Sequence, residues 1–175
     1  LDRSLDRLRY LDDIFMGRVE TVWSSAAALE EQVLDADLII GAVLIPGAAA
    51  PKLVGLDLVR KLQKGSVMVD VAIDQGGCFE TSRATSYEDP TYEIEGVVHY
   101  CVANMPGGVA RTATLALTNA TLPYVMRLAD RGLDALRSDP HFALGLNVYA
   151  GRLTHQGVGE AFNFDTVSPE DALKV

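Results

Sequence analysis

Residues 69–80, VDVAIDQGGCFE, decide how this chain is read. Val69, Val71, Ala72 and Ile73 favour burial, yet Asp70 and Asp74 interrupt them, and Gln75, Gly76 and Gly77 then free the backbone to turn. Residues 66–73, SVMVDVAI, are apolar at positions of both parities. That pattern predicts a strand buried on both faces, as in a parallel sheet covered by helices. A carboxylate at the end of such a strand, ahead of two glycines that permit positive φ, has two readings. Asp74 stabilises its own turn as an Asx-turn residue, or it is presented for chemistry as a proton acceptor or an anchor for an ammonium or a water. The residues alone leave these even. Asp70 reads as a buried or edge carboxylate whose partner the sequence does not name.

Working outward, LDRSLDRLRYLDDIF places Leu5, Leu8, Leu11 and Phe15 at spacings of three and four, which predicts a helix. RVETVWS is a short β-rich run, and SSAAALEEQVLDA opens with serines suited to cap a second helix. DADLIIGAVL predicts an apolar strand. GLDLVRKLQKG predicts a helix closed by Gly65, with Lys61 and Lys64 near its carboxyl end. VVHYCVANM is the strand after SVMVDVAI. The order β-α-β-α-β with doubly buried strands gives an α/β fold, a doubly wound parallel sheet. A dinucleotide-binding sheet ordinarily opens with strand, GxGxxG, helix, strand and then an acidic residue. GxGxxG does not occur here, and the chain opens on LD, which reads as the end of that later strand with its acidic residue. The first βα unit is therefore expected to be lacking. From about Pro106 the pattern changes: RTATLALTNATLPYVMRLADRGLDALRS predicts one long helix, bent at Pro123. A helical tail follows it, with no further strand.

With 49% hydrophobic and 22% charged residues among 175, the composition is that of a folded globular protein. The 15 basic residues face 24 acidic ones, a net charge of −9, and no basic cluster stands out, which opposes nucleic-acid binding. No apolar run approaches the ~20 residues a membrane span needs, so the expectation is a soluble, cytoplasmic protein with no membrane partner. Cys78 and Cys101 form neither a disulfide framework nor a zinc motif and read as reduced thiols. His99 falls inside a strand, His141 and His155 in the tail; all three read as structural, and no metal site is expected.

Ligands of open parallel sheets collect outside the carboxyl ends of the strands, so those ends carry the candidate site. At the first, Asp2 either accepts from the hydroxyls of an adenosine ribose or caps a helix, and spacing alone favours the cap. At the second, the loop through Gly41, Pro46 and Gly47 offers Val43 and Leu44 as apolar walls for a flat ring. Asp74 stands at the third. At the fourth, in CVANMPGG, Asn104 hydrogen-bonds an amide or carbonyl of a ligand or caps the helix that follows, with Met105 beside it.

Three stretches, ADLIIGAVLIPGAAAPKLV, VDVAIDQGGCFE with SRATSYEDPTY, and YCVANMPGGVARTATLALTNATLPYV, together resemble alanine dehydrogenase in order and spacing, up to about Asp139. The resemblance implies a Rossmann-like NAD(P)-binding domain over residues 1–112, incomplete at its amino-terminal end. Residues 113–175 would then be a connecting helix and the carboxy-terminal segment of the substrate domain. It implies NAD-dependent oxidative deamination of L-alanine to pyruvate and ammonium, in a homohexamer. It assigns the catalytic carboxylate to Asp74. Cofactor contacts are assigned to Asp2, Arg7, Ser24, Val43, Leu44, Val71, Ala72, Ile73, Asp74, Arg83, Val102, Ala103, Asn104 and Met105. The glycine loop, a catalytic histidine and the basic residues for the substrate carboxylate would lie upstream, so the chain alone is expected to be inactive. The alternatives are the NAD-binding domain of a transhydrogenase, against which the Asp in AIDQGG argues, and a non-catalytic nucleotide-binding module.

Overall fold

The computed structural model describes residues 1–43, 45 and 49–174. Its described residues form two compact units. The first comprises Leu1–Ala42, Pro51–Ile73 and Gly77–Val102; the second comprises Val43–Ala50, Asp74–Gly76 and Ala103–Val175, within which 44, 46–48 and 175 lie outside the description.

The first unit is built on a four-stranded sheet. Helix α1 (Leu5–Phe15) starts at Ser4, whose Oγ accepts from the Arg7 amide, and α2 (Ala26–Leu34) starts at Ser25, whose Oγ accepts from the Ala28 amide. Of the paired serines, the second is thus the cap. Strand β1 (Leu38–Gly41) leads through the short helix α3 (Leu56–Val59) to β2 (Val67–Asp70), and β3 (Thr91–Ile94) and β4 (Val97–Tyr100) follow. The spatial order is β1-β2-β4-β3. β1, β2 and β4 run parallel, with Gly41 opposite Asp70 and Val69 opposite Tyr100, while β3 is an antiparallel edge. Met68, Val97, Val54, Val59, Phe79, Cys101 and Val102 are buried in this unit.

In the second unit, the 3-10 turn Met105–Val109 precedes the long helix α4 (Ala110–Arg131). Helices α5 (Asp134–Arg137) and α6 (Pro140–Ala143) follow. Strands β5 (Val148–Tyr149) and β6 (Arg152–Leu153), and helices α7 (Gln156–Phe162) and α8 (Pro169–Ala172), complete it. Leu136, Ala143 and Leu173 form its buried cluster, against which Leu133, Phe142 and Leu146 pack.

The structure corrects five sequence expectations. The strand written SVMVDVAI ends at Asp70, and residues Val71–Gln75 form a 3-10 turn, because Asp70 Oδ1 accepts from the Ala72 amide two residues on. Burial on both faces fails for β1, where Leu38 and Ile40 stay exposed while Ile39 is buried. The helix expected over GLDLVRKLQKG is a single α turn, after which the backbone turns through Gly65 at φ 90°. The long helical stretch runs past Pro123 and breaks at Gly132, which has φ 55°. A strand pair does follow β4: β5 and β6 are joined through Ala150 and Gly151, both at positive φ, as a two-residue hairpin requires. Two-residue strands are too short to leave a period in the sequence.

Candidate functional site

The turn after β2 is organised by Asp70, the residue with no role at the sequence level. Its side chain is fully buried. Oδ1 accepts from the Ala72 amide at 3.1 Å; Oδ2 accepts from the Cys78 amide at 2.8 Å, the Phe79 amide at 3.3 Å and the Ser82 hydroxyl at 2.5 Å. The Cys78 thiol lies 3.5 Å from Oδ1. A buried carboxylate is tolerable only when its lone pairs are filled in this way. The turn is also closed on itself, because the Gly77 amide donates to the Ala72 carbonyl at 3.0 Å. Gly77 has φ 74°, and a Cβ there would sit 2.6 Å from Asp70 Oδ2 and 2.8 Å from Ser82 Cβ. Glycine is required at this position for both reasons.

The Asx-turn role offered to Asp74 thus belongs to Asp70. Asp74 is exposed. Both its carboxylate oxygens lie within reach of the Asn104 amide, at 3.2 and 3.4 Å, so the turn after β2 and the turn after β4 meet within the second unit. The Ala50 amide donates to the Gln75 carbonyl at 3.0 Å in the same unit. Asn104 holds the left-handed conformation at φ 52°, which asparagine tolerates better than most residues, and its side chain makes no cap hydrogen bond. The capping alternative for Asn104 is therefore not what the structure shows.

In the first unit, Asp2 and Ser24 are brought together. The Asp2 amide donates to the Val22 carbonyl, the Ser24 amide to the Asp2 carbonyl at 2.9 Å, and Asp2 pairs with Trp23 as an isolated parallel bridge. Asp2 Oδ1 accepts from the Ser4 amide at 2.8 Å, so Ser4, not Asp2, is the helix cap. Arg7 is exposed, with its guanidinium 5.1 Å from the centre of the Tyr10 ring. Val71 is half exposed, Ala72 and Ile73 are buried, and Val102 is buried and bridged to Thr85. Arg83 lies over the Tyr92 ring at 4.0 Å, and its amide donates to the Tyr92 hydroxyl at 2.8 Å. In the second unit, Val43 and Met105 are partly buried and Ala103 is exposed; Leu44 lies outside the described residues.

A polar network backs the Arg83 segment. The Tyr92 hydroxyl donates to the Thr81 carbonyl at 2.9 Å and lies 3.5 Å from the Cys101 sulfur, and burial pushes its pKa well above the ordinary phenol value. His99 stacks on Tyr92 with ring centres 5.0 Å apart. Its Nδ1 donates to the Val97 carbonyl at 3.0 Å and its Nε2 accepts from the Thr81 hydroxyl at 2.7 Å, the pattern of a neutral imidazole. Burial accordingly lowers the His99 pKa from its ordinary value. His99 is structural, as its strand position implied. Cys78 and Cys101 are both buried, and neither is in a disulfide. Among the described residues, no group of three or more acidic, cysteine or histidine side chains is placed to hold a metal. A cavity of about 790 Å³ in the second unit, lined by Leu136, Arg137, Leu144, Leu173 and Lys174 among others, contains none of the candidate site residues expected from the sequence.

Sequence reasoning missed Ser82, Tyr92 and the role of Asp70. A fully apolar strand interrupted by one acid was the available signal for Asp70; nothing in the spacing pointed to the other two.

Three parallel strands with helices and an antiparallel edge strand make a Rossmann-like α/β architecture. The chain belongs to the alanine dehydrogenase/PNT family: residues 1–156 match the model of its C-terminal domain. It is 62% identical to the alanine dehydrogenase of Halomonas elongata over 168 residues, 95% of this chain and 45% of that protein. A solved L-alanine dehydrogenase structure shares 55% identity with a TM-score of 0.80, covering 93% of this chain and 45% of that one. The crystal structure of transhydrogenase from Sinorhizobium meliloti is more distant, at 25% identity and a TM-score of 0.59 over 76% of this chain and 36% of that one. The chain spans about half the length of the curated relatives it matches.

Proposed function

We propose that this chain is the carboxy-terminal part of an NAD-dependent L-alanine dehydrogenase, which converts L-alanine, NAD and water to pyruvate, ammonium, NADH and a proton. The observation that carries this is the division of labour between two aspartates. Asp70 satisfies the turn, which leaves the Asp74 carboxylate exposed, with the Asn104 amide donating to it. An exposed carboxylate in the turn beyond the carboxyl end of β2, freed by Asp70 from closing that turn, is available for chemistry.

When bound, NAD supplies the redox chemistry by accepting a hydride from the substrate α-carbon. The residues described here fit that cofactor. Asp2 presents a carboxylate suited to two ribose hydroxyls, and Ser24 is tied to its backbone. Arg7 lies one turn further along α1, and Arg83 follows the turn after β2. Val71, Ala72 and Ile73 line that turn, and Val102, Ala103, Asn104 and Met105 the one after β4. Val43 follows β1, and the apolar-wall role proposed for it extends in sequence to Leu44, which lies outside the described residues. Asp74 orients the substrate amine or the attacking water and takes its proton. A carboxylate at Asp2 disfavours a 2′-phosphate and so selects NAD over NADP. Two buried cysteines outside any disulfide suit a reducing, cytoplasmic setting. On the same reading residues 1–112 serve the cofactor and 113–175 connect to the substrate domain. The exposed Leu115, Leu117, Val125 and Met126 of α4 suit a homohexameric assembly.

The test is L-alanine-dependent reduction of NAD by the full-length protein that carries this chain, together with the reverse reaction from pyruvate, ammonium and NADH. Turnover in both directions supports the assignment. Hydride exchange between nicotinamides without any response to L-alanine would favour the transhydrogenase reading instead.

A further inference from the structure

We infer that Asp70 is a positioning residue for Asp74: its buried carboxylate draws together the Ala72, Cys78 and Phe79 amides and the Ser82 hydroxyl, so the segment that carries Asp74 leaves and returns through one fixed point. This rests on the catalytic role assigned to Asp74. Asp74 stands two residues after Ala72 and four before Cys78, and both of those amides end on Asp70, at 3.1 and 2.8 Å. The Gly77-to-Ala72 hydrogen bond closes the loop between them. The tip of the turn therefore has only four residues, 73–76, between the tied backbone groups of Ala72 and Gly77.

The choice of residue points to geometry rather than stability. Asp70 is the last residue of the interior strand β2, opposite Gly41 of β1, and fully buried. An apolar side chain there would cost no desolvation, since buried ionic groups rarely stabilise more than well-packed hydrophobic ones. What an apolar residue cannot do is accept from donors on two separated segments. Oδ1 serves the start of the turn and Oδ2 its end, and the Ser82 hydroxyl adds the segment next to Arg83. An asparagine would offer one acceptor oxygen and set an NH2 against the remaining amides. The thiol of Cys101, 3.8 Å from the Ser82 hydroxyl, extends the same network toward Tyr92. Displacing a reacting group by about 1 Å costs on the order of a hundredfold in rate, so a carboxylate on a short turn gains from such fixation.

The experiment uses the full-length protein with Ser82→Ala and Asp70→Asn, each made alone and in an Asp74→Asn background. Rates are expressed per NADH-binding site, counted by fluorescence titration, so that lost protein does not count as lost activity. Ser82→Ala removes one donor and leaves the three amides in place; it is expected to lower kcat roughly threefold to tenfold, and Asp70→Asn further. In the Asp74→Asn background neither change is expected to lower the residual rate again, because the group being positioned is already gone. Equal losses in both backgrounds, or a wild-type kcat per site for both variants, would overturn the inference. If Asp70→Asn does not fold, Ser82→Ala decides alone. A wild-type rate for Asp74→Asn itself overturns the catalytic assignment, and with it this inference, and is distinguishable because it needs no Asp70 or Ser82 variant.

Discussion

Alanine substitution at the two adjacent glycines separates the backbone conformation of the turn from the contacts of the carboxylate beneath it. Gly76 and Gly77 both hold positive φ, 88° and 74°. Among the described residues, a methyl group on Gly76 would meet no atom within 4 Å, whereas on Gly77 it would meet Asp70 Oδ2 at 2.6 Å. Gly76→Ala therefore costs only the left-handed strain of a non-glycine residue, about 1–2 kcal/mol. Gly77→Ala carries the same strain and must also push the carboxylate away by the better part of an ångström. Oδ2 receives the Cys78 and Phe79 amides and the Ser82 hydroxyl, and Asp70 has no solvent to fall back on. Losing one charge-assisted hydrogen bond of this kind costs about 1.5–3 kcal/mol, for a total of about 2.5–5 kcal/mol with the strain. The assay is urea unfolding of the full-length protein and both variants, followed by a signal from this region, with slopes compared so that midpoints can be read as stabilities. Gly77→Ala is expected to be the less stable variant by at least about 1.5 kcal/mol. Equal destabilisation would refute the claim that Asp70 is held rigidly against Gly77.

Two further outcomes follow from the site and its surroundings. Asp2→Ala is expected to weaken NADH binding about tenfold or more, the loss of hydrogen bonds to a charged group, while leaving the rate at saturating cofactor nearly unchanged; an unchanged dissociation constant in fluorescence titration would reject the ribose contact. Burial holds the His99 pKa below its ordinary 6.5, so the unfolded chain takes up the proton first. The neutral His99 contribution is therefore complete above about pH 6.5 and is lost as pH falls below it. Urea midpoints are expected to drop between pH 7.5 and 5.5, and less so in His99→Gln; identical pH dependence in the two proteins would contradict this.

The parts of this fold that were legible in the sequence are those fixed by local patterning. The parallel strands around Ile39, Met68 and Val98 announce themselves as apolar runs, and α1 by its leucine spacing and by Ser4. The positive φ of Gly76 and Gly77 was legible too, because only glycine occupies such geometry freely. What failed depends on contacts distant in sequence. The end of β2 cannot be placed without knowing that Asp70 accepts from Cys78 and Phe79, eight and nine residues on. The edge strand Thr91–Ile94 carries Glu93 between partly exposed residues and so lacks an apolar signal. Asp70 and Asp74 look alike in sequence, each an acid in an apolar setting; only burial and donor count tell the structural one from the exposed one.

The central claim is that Asp74 is the working carboxylate and Asp70 is not. The most direct measurement is kcat for L-alanine oxidation by the Asp74→Asn variant of the full-length protein, with NADH affinity determined on the same sample. The account predicts a loss of most turnover with NADH binding retained. A variant that turns over L-alanine at nearly the normal rate would contradict it.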